Sequence, residues 1–177
     1  MASSSRIKDI PENELTPEQA KVFKDLVAGR GALLTPYKIW IHSPILAAAL
    51  ETTGTFLNKQ GSLTEREIEL VVCIIANHWQ GEYVWTQHIR RFPRLGFSQD
   101  VIDALRASEI PPLDDERERT VCELARSAMQ PGGGPDEVFS RAEQLLGRNG
   151  IAEVLALLGY YSSVAMAVKL HRVPVPA

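Results

Sequence analysis

Apolar residues recur at helical spacing along most of this chain, and the places where the pattern breaks divide it into segments. Ala20, Val22, Phe23 and Leu26 share one side of a helix expected over residues 16–29, and Gly29-Arg30-Gly31 breaks it. A second helix is expected over 43–58, ending near Gln60-Gly61. Residues 62–80 form the most apolar of the early segments: Thr64 with Glu67 three positions on makes a capping box, and Ile68, Leu70, Val71, Val72, Cys73, Ile74, Ile75 and Ala76 follow. A helix that apolar around its circumference belongs inside the molecule. Gly81 interrupts the pattern, and a further helix places Gly81, Val84 and His88 on one face. Helices are expected again over 98–107, 114–129, 135–146 and 151–169. No segment alternates with period two between hairpin turns, so the reading is all-α.

One carboxylate lies inside the apolar run. Burying Glu69 costs several kcal/mol, on the order of a charge left without a partner, unless it is paired, hydrogen-bonded or protonated. Two kinds of partner are open. His88 would make a carboxylate–imidazole pair able to move protons near neutral pH. An arginine such as Arg66, Arg90 or Arg91 would make an ion pair with no chemistry. Beside His88, Tyr83 and Trp85 are candidates to line a pocket for a flat substrate, with Trp85 one turn before the histidine. His78 lies nine residues from Glu69, on about the opposite face of the same helix. It is a weaker candidate for the same pocket. His78, Glu82 and His88 lack the spacing of a helical metal pair, so no metal is expected.

The spacing from Glu69 to Gly81, Val84 and His88 resembles the carboxymuconolactone decarboxylase and alkylhydroperoxidase D family, whose peroxidase branch reads Glu-x11-Cys-x2-Cys-x3-His. The Glu and His positions fall on Glu69 and His88, and the two cysteine positions on Gly81 and Val84. The resemblance extends through Leu63-Thr64-Glu65-Arg66-Glu67-Ile68-Glu69, His78-Trp79, Leu95-Gly96-Phe97-Ser98, Leu158-Gly159-Tyr160-Tyr161 and the closing Val173-Pro174-Val175-Pro176. It implies an alkylhydroperoxidase D-like helical bundle in a homotrimer or a hexamer built from it. It also implies a cysteine-free, cofactor-independent lyase in which His88 and Glu69 handle protons. The substrate would be a small carboxylated lactone or cyclic acid held near Trp85, Tyr83, Gly81, Val84 and His78, with Gly81 leaving room where the family has a side chain. An isomerase, cyclase or binding protein on the same fold is the alternative. A thiol peroxidase is disfavoured by the missing cysteine pair.

Composition narrows this further. The chain has 177 residues with 45% hydrophobic content, the size of one domain over residues 16–177 behind a polar, proline-containing arm at 1–15. A net charge of −3 with only the short Arg90-Arg91 and Arg94 cluster argues against a nucleic-acid partner. Cys73 and Cys122 sit in apolar helical patterns, as reduced buried thiols do. The start, Met1-Ala2-Ser3-Ser4-Ser5-Arg6, lacks an apolar signal core, and a cytoplasmic location is expected. The segment 151–169 is shorter than the roughly 20 residues of a membrane span and is expected to be a buried helix, in part against another subunit. Gln130-Pro131-Gly132-Gly133-Gly134-Pro135 follows no strand and lacks a phosphate-loop lysine, so it is a turn.

Overall fold

Capping chemistry fixes where the first long helices begin. In the computed structural model, which describes residues 4–175, Thr16 and Gln19 close a reciprocal capping box at the start of α1 (Pro17–Arg30). The expected box at Thr64 and Glu67 forms in the same way: the Thr64 hydroxyl accepts from Glu67 N at 3.2 Å, and Glu67 Oε2 accepts from Thr64 N at 2.7 Å. Between these helices lie α2 (Thr35–Trp40) and α3 (Pro44–Lys59), and the second box opens α4 (Glu65–His78). Then come α5 (Glu82–Ile89), α6 (Gln99–Arg106), α7 (Glu116–Ala128) and α8 (Asp136–Leu170). No strand occurs among the described residues, as expected for an all-α chain. Met1, Ala2 and Ser3 of the arm, and Pro176 and Ala177 at the other end, lie outside them.

The two C-terminal helices expected over 135–146 and 151–169 are both present and meet within α8 at a kink at Gly147. Its φ of 66° is a left-handed conformation that a residue with a Cβ rarely adopts. Asp115 caps α7, accepting from Arg117 N and Glu118 N at 2.8 and 3.0 Å. α2 has no counterpart in the sequence reading. Six residues are too few for a helical period to show, yet it buries Tyr37 and Trp40 in the core.

α4 forms the centre. Every residue from Glu67 to Ala76 is buried, and the helix packs against α5, α6, α7 and α8. Each fully buried aliphatic side chain of this run contributes about 1.5–3 kcal/mol. The C-terminal half of α8 is long and apolar enough to cross a membrane by composition, but 56% of that stretch is buried inside the protein. The described part of the arm lies on the same chain: Arg6 N donates to His171 O at 2.8 Å, His42 Nε2 to Lys8 O at 3.2 Å, and Lys38 pairs with Asp9 at 3.0 Å.

Candidate active site

Glu69 and His88 meet between α4 and α5. His88 Nδ1 lies 2.8 Å from Glu69 Oε2, and a carboxylate can only accept, so Nδ1 carries the hydrogen and Nε2 is left to exchange protons with a ligand. The turn after α5, in which Arg91 N donates to His88 O at 3.0 Å, brings the Arg91 guanidinium back to Glu69 Oε1. Both partner types open in the sequence are therefore present, one on each carboxylate oxygen. Arg66 is not one of them. It is bidentate to Glu118 at 2.5 and 2.9 Å, and its guanidinium lies 3.9 Å above the Phe97 ring.

Burial of Glu69, 1% exposed, pushes its carboxyl up. The hydrogen bond and charge of His88, together with the Arg91 guanidinium, outweigh that effect and hold it below the ordinary value. Glu69 is thus a fixed anion that orients the imidazole.

The pair opens on a cavity of about 810 Å³, lined by Glu69, Tyr83, Val84, His88 and Arg91 together with residues of α2, α3 and α8. Tyr161 stands edge-on to the His88 ring, with centroids 5.1 Å apart and planes at 89°. Its hydroxyl donates to Asn58 Oδ1 at 3.0 Å, while Asn58 Nδ2 donates to Gly54 O at 2.8 Å, which fixes which way the amide faces. Burial pushes the Tyr161 phenol up, so it stays protonated. Tyr160 and Tyr37 bring their hydroxyls to 3.1 Å of each other. That arrangement depends on Gly54, because a Cβ there would collide with the Tyr160 hydroxyl.

Of the residues expected around the substrate, the structure brings Tyr83 and Val84 to this cavity and not Trp85, Gly81 or His78. The Trp85 ring packs under the Arg106 guanidinium, 4.0 Å from its centroid, and Arg106 is held there by a bidentate pair with Glu82 at 2.9 and 3.0 Å. Gly81 leaves no vacancy for a ligand: a Cβ there would meet Ala165 Cβ at 3.4 Å and Ala76 O at 3.5 Å, in ordinary contact with α8 and α4 rather than open to the cavity. His78 borders a separate cavity of about 200 Å³ with Asn77 and Arg126, on the far side of α4 as its nine-residue offset requires. Asn58, Lys59, Tyr160 and Tyr161 line the site and were not singled out as site residues. The available signal was two adjacent tyrosines in an otherwise aliphatic helix, where each hydroxyl must find a polar partner.

Cys73 and Cys122 are fully buried and outside the cavity lining. Burial, reinforced by the Glu69 charge, pushes the Cys73 thiol up, and burial pushes Cys122 up to about 12. No group of three or more His, Cys, Asp or Glu is placed to hold a metal ion among the described residues.

No protein-family model matches the chain, and no curated protein matches it. Solved structures do. A cysteine-to-alanine variant of the debrominase Bmp8, in complex with 2,3,4-tribromopyrrole, superposes with a TM-score of 0.74 over 100% of this chain and 95% of its own at 13% identity. An uncharacterized peroxidase-related protein from Ralstonia eutropha JMP134, described as an alkylhydroperoxidase AhpD core, gives 0.73 over 97% and 92% at 15% identity. A peroxidase-related protein from Silicibacter sp. TM1040 gives 0.70 over 99% and 94% at 16% identity. The chain has the alkylhydroperoxidase D fold. At these identities the likeness is one of fold, and the chemistry must be argued from the cavity.

Proposed function

We propose that the protein is a cofactor-independent lyase that removes carbon dioxide from a small carboxylated lactone or related cyclic acid by acid–base chemistry. The observation that carries this reading is the buried Glu69–His88 pair, hydrogen-bonded at 2.8 Å and lining a cavity of about 810 Å³ with phenol rings around it. In the proposed step the carbon–carboxylate bond of the substrate breaks, its electron pair passes into the conjugated lactone carbonyl, and carbon dioxide leaves. The His88 imidazolium then delivers the Nε2 proton to the carbon that lost the carboxylate and takes another from water. Glu69, ionised throughout, holds Nδ1–H and stabilises the imidazolium. Such a proton donor contributes typically 10²–10⁴-fold in rate.

The thiol reading has no comparable support. Neither cysteine lines the cavity, and both thiols are held protonated by burial, whereas redox chemistry needs a thiolate. An isomerase or cyclase would use the same pair without loss of carbon. Carbon dioxide release from a panel of carboxylated lactones and cyclic β-keto acids separates them: the lyase reading expects release by the wild type that disappears in His88→Ala. Substrate turnover with full carbon retention would instead select the isomerase.

Self-association is part of the same proposal. α8 exposes Leu155, Met166 and Leu170 along one side, a stripe suited to a second copy of the chain. A single monomeric mass by light scattering would count against it.

A further inference from the structure

We propose that Lys59, the last residue of α3, is the specificity-determining residue of the cavity: its ammonium holds the carboxylate of an incoming cyclic acid, so that the site selects the acid over an uncharged lactone with the same ring. The inference deepens the lyase reading and rests on it for the ring and the reaction, while charge selection is a property of binding alone.

Besides His88 and the phenols, the ionisable side chains lining the cavity are Lys59, Glu65, Glu69, Arg91 and Arg94. Both carboxylates are already matched, Glu69 by Arg91 and Glu65 by Arg94. Lys59 is exposed at the cavity wall and makes no ion pair or hydrogen bond among the described residues. The wall therefore carries one positive charge in excess, and Lys59 holds it. A cleft with an excess of one sign of charge draws in ligands of the other sign. As the last residue of α3, Lys59 also suits the negative end of the helix dipole, an effect that leaves its three ammonium hydrogens uncommitted.

The backbone beneath Lys59 is tied down on both sides. Before it, Asn58 Oδ1 accepts from the Tyr161 hydroxyl at 3.0 Å, and the Tyr161 ring is centred 5.1 Å from that of His88. After it, Glu153 of α8, 6% exposed, accepts from Ser62 N at 2.6 Å and from Ser62 Oγ at 2.8 Å, which fixes the turn between α3 and α4. Gly61 permits that contact, because a Cβ there would come within 2.9 Å of Glu153 Oε2. On α5, Gln87 also lines the cavity and makes no hydrogen bond among the described residues, so its amide is free to donate to the ring oxygens of a lactone. The cavity thus joins a carboxylate anchor on α3 to a proton donor on α5. Carbon dioxide is neutral, so an ammonium on the departing carboxylate stabilises the bound acid more than the transition state. The contact belongs to binding, and it acts on KM rather than raising kcat.

The test is binding, by NMR titration of the full chain, of a saturated γ-carboxy-γ-butyrolactone, which lacks the conjugation that decarboxylation needs, and of its methyl ester. The wild type is expected to prefer the acid. Lys59→Met is expected to lose about three- to tenfold in affinity for the acid while its affinity for the ester stays within about twofold. Lys59→Arg retains most of the acid affinity, and added salt weakens acid binding more in the wild type than in Lys59→Met. Lys59→Gln serves where the methionine variant does not fold. Equal losses for acid and ester, an unchanged acid affinity, or a wild type that binds the acid no better than the ester would overturn the proposal. Carbon dioxide release from an unsaturated lactone acid separates this inference from the lyase reading. Charge-selective binding that is lost in Lys59→Met, with no release by the wild type, removes the lyase and leaves Lys59 in its role. Release with a KM that Lys59→Met does not raise removes the role of Lys59 and leaves the lyase.

Discussion

Two carboxylates on α4, two residues apart and both 1% exposed, have opposite meanings. Glu67 closes the capping box with one oxygen and takes Arg117 Nε at 2.6 Å with the other, and Arg117 in turn donates to Leu145 O at 2.7 Å, tying the start of α4 to α7 and α8. The Glu67 carboxylate is thus held by a backbone amide and a permanently charged guanidinium. Glu69 also has an arginine, but its second partner is an imidazole, and it faces a cavity. Burial of a carboxylate therefore does not by itself mark a site. What marks it is a partner that can gain and lose a proton near neutral pH, with space for a ligand beside it.

The contrast is broken most sharply by exchanging which residue is removed. His88→Ala is expected to lower turnover by about 10²–10⁴-fold, as removal of a general acid does, with a smaller loss of stability than any change at Glu67. Glu67→Ala is expected to do the reverse. It opens the capping box and strands Arg117, costing about 2–3 kcal/mol of unfolding free energy in denaturant titrations, while turnover per folded molecule stays within about twofold. Equal activity losses in the two variants would erase the distinction. Between them lies Gly54→Ala, which forces Tyr160 away from Tyr37. About 1–3 kcal/mol of strain is expected, with a raised KM because the cavity wall moves.

The smallest effect is the pH dependence of stability. The Glu69 carboxyl is held below its ordinary value of 4.5, so the folded state binds that proton less readily than the unfolded chain. Its contribution is fully present above about pH 4.5 and is lost as the pH falls through the depressed folded value. Glu69→Gln is therefore expected to flatten unfolding free energy against pH below 4.5, which urea unfolding of both proteins over that range checks.

The fold was legible because its central helix announces itself twice, by the Thr64–Glu67 box and by an apolar run too continuous for a surface. The Glu69–His88 pairing was legible from the resemblance and from the cost of a lone buried carboxylate. The rest of the site depends on contacts that sequence spacing does not encode. Trp85 has a suitable offset from His88, yet Arg106 of α6 holds its ring outside the cavity lining. Gly81 faces Ala165 of α8 and not the cavity. Tyr37 reaches the cavity on a helix of one and a half turns, too short to be read as periodic, and Asn58 matters only because Tyr161, 103 residues away, needs an acceptor. Arg91 stood among three equivalent arginines, and only the turn after α5 selects it.

The most direct test of proton delivery by His88 is turnover of a carboxylated lactone in deuterium oxide, with the labelled face of the product carbon read by NMR. The account predicts deuterium on one face in the wild type and in Glu67→Ala, and loss of that product in His88→Ala. Label spread over both faces by the wild type, or one-face labelling that persists without His88, would contradict it.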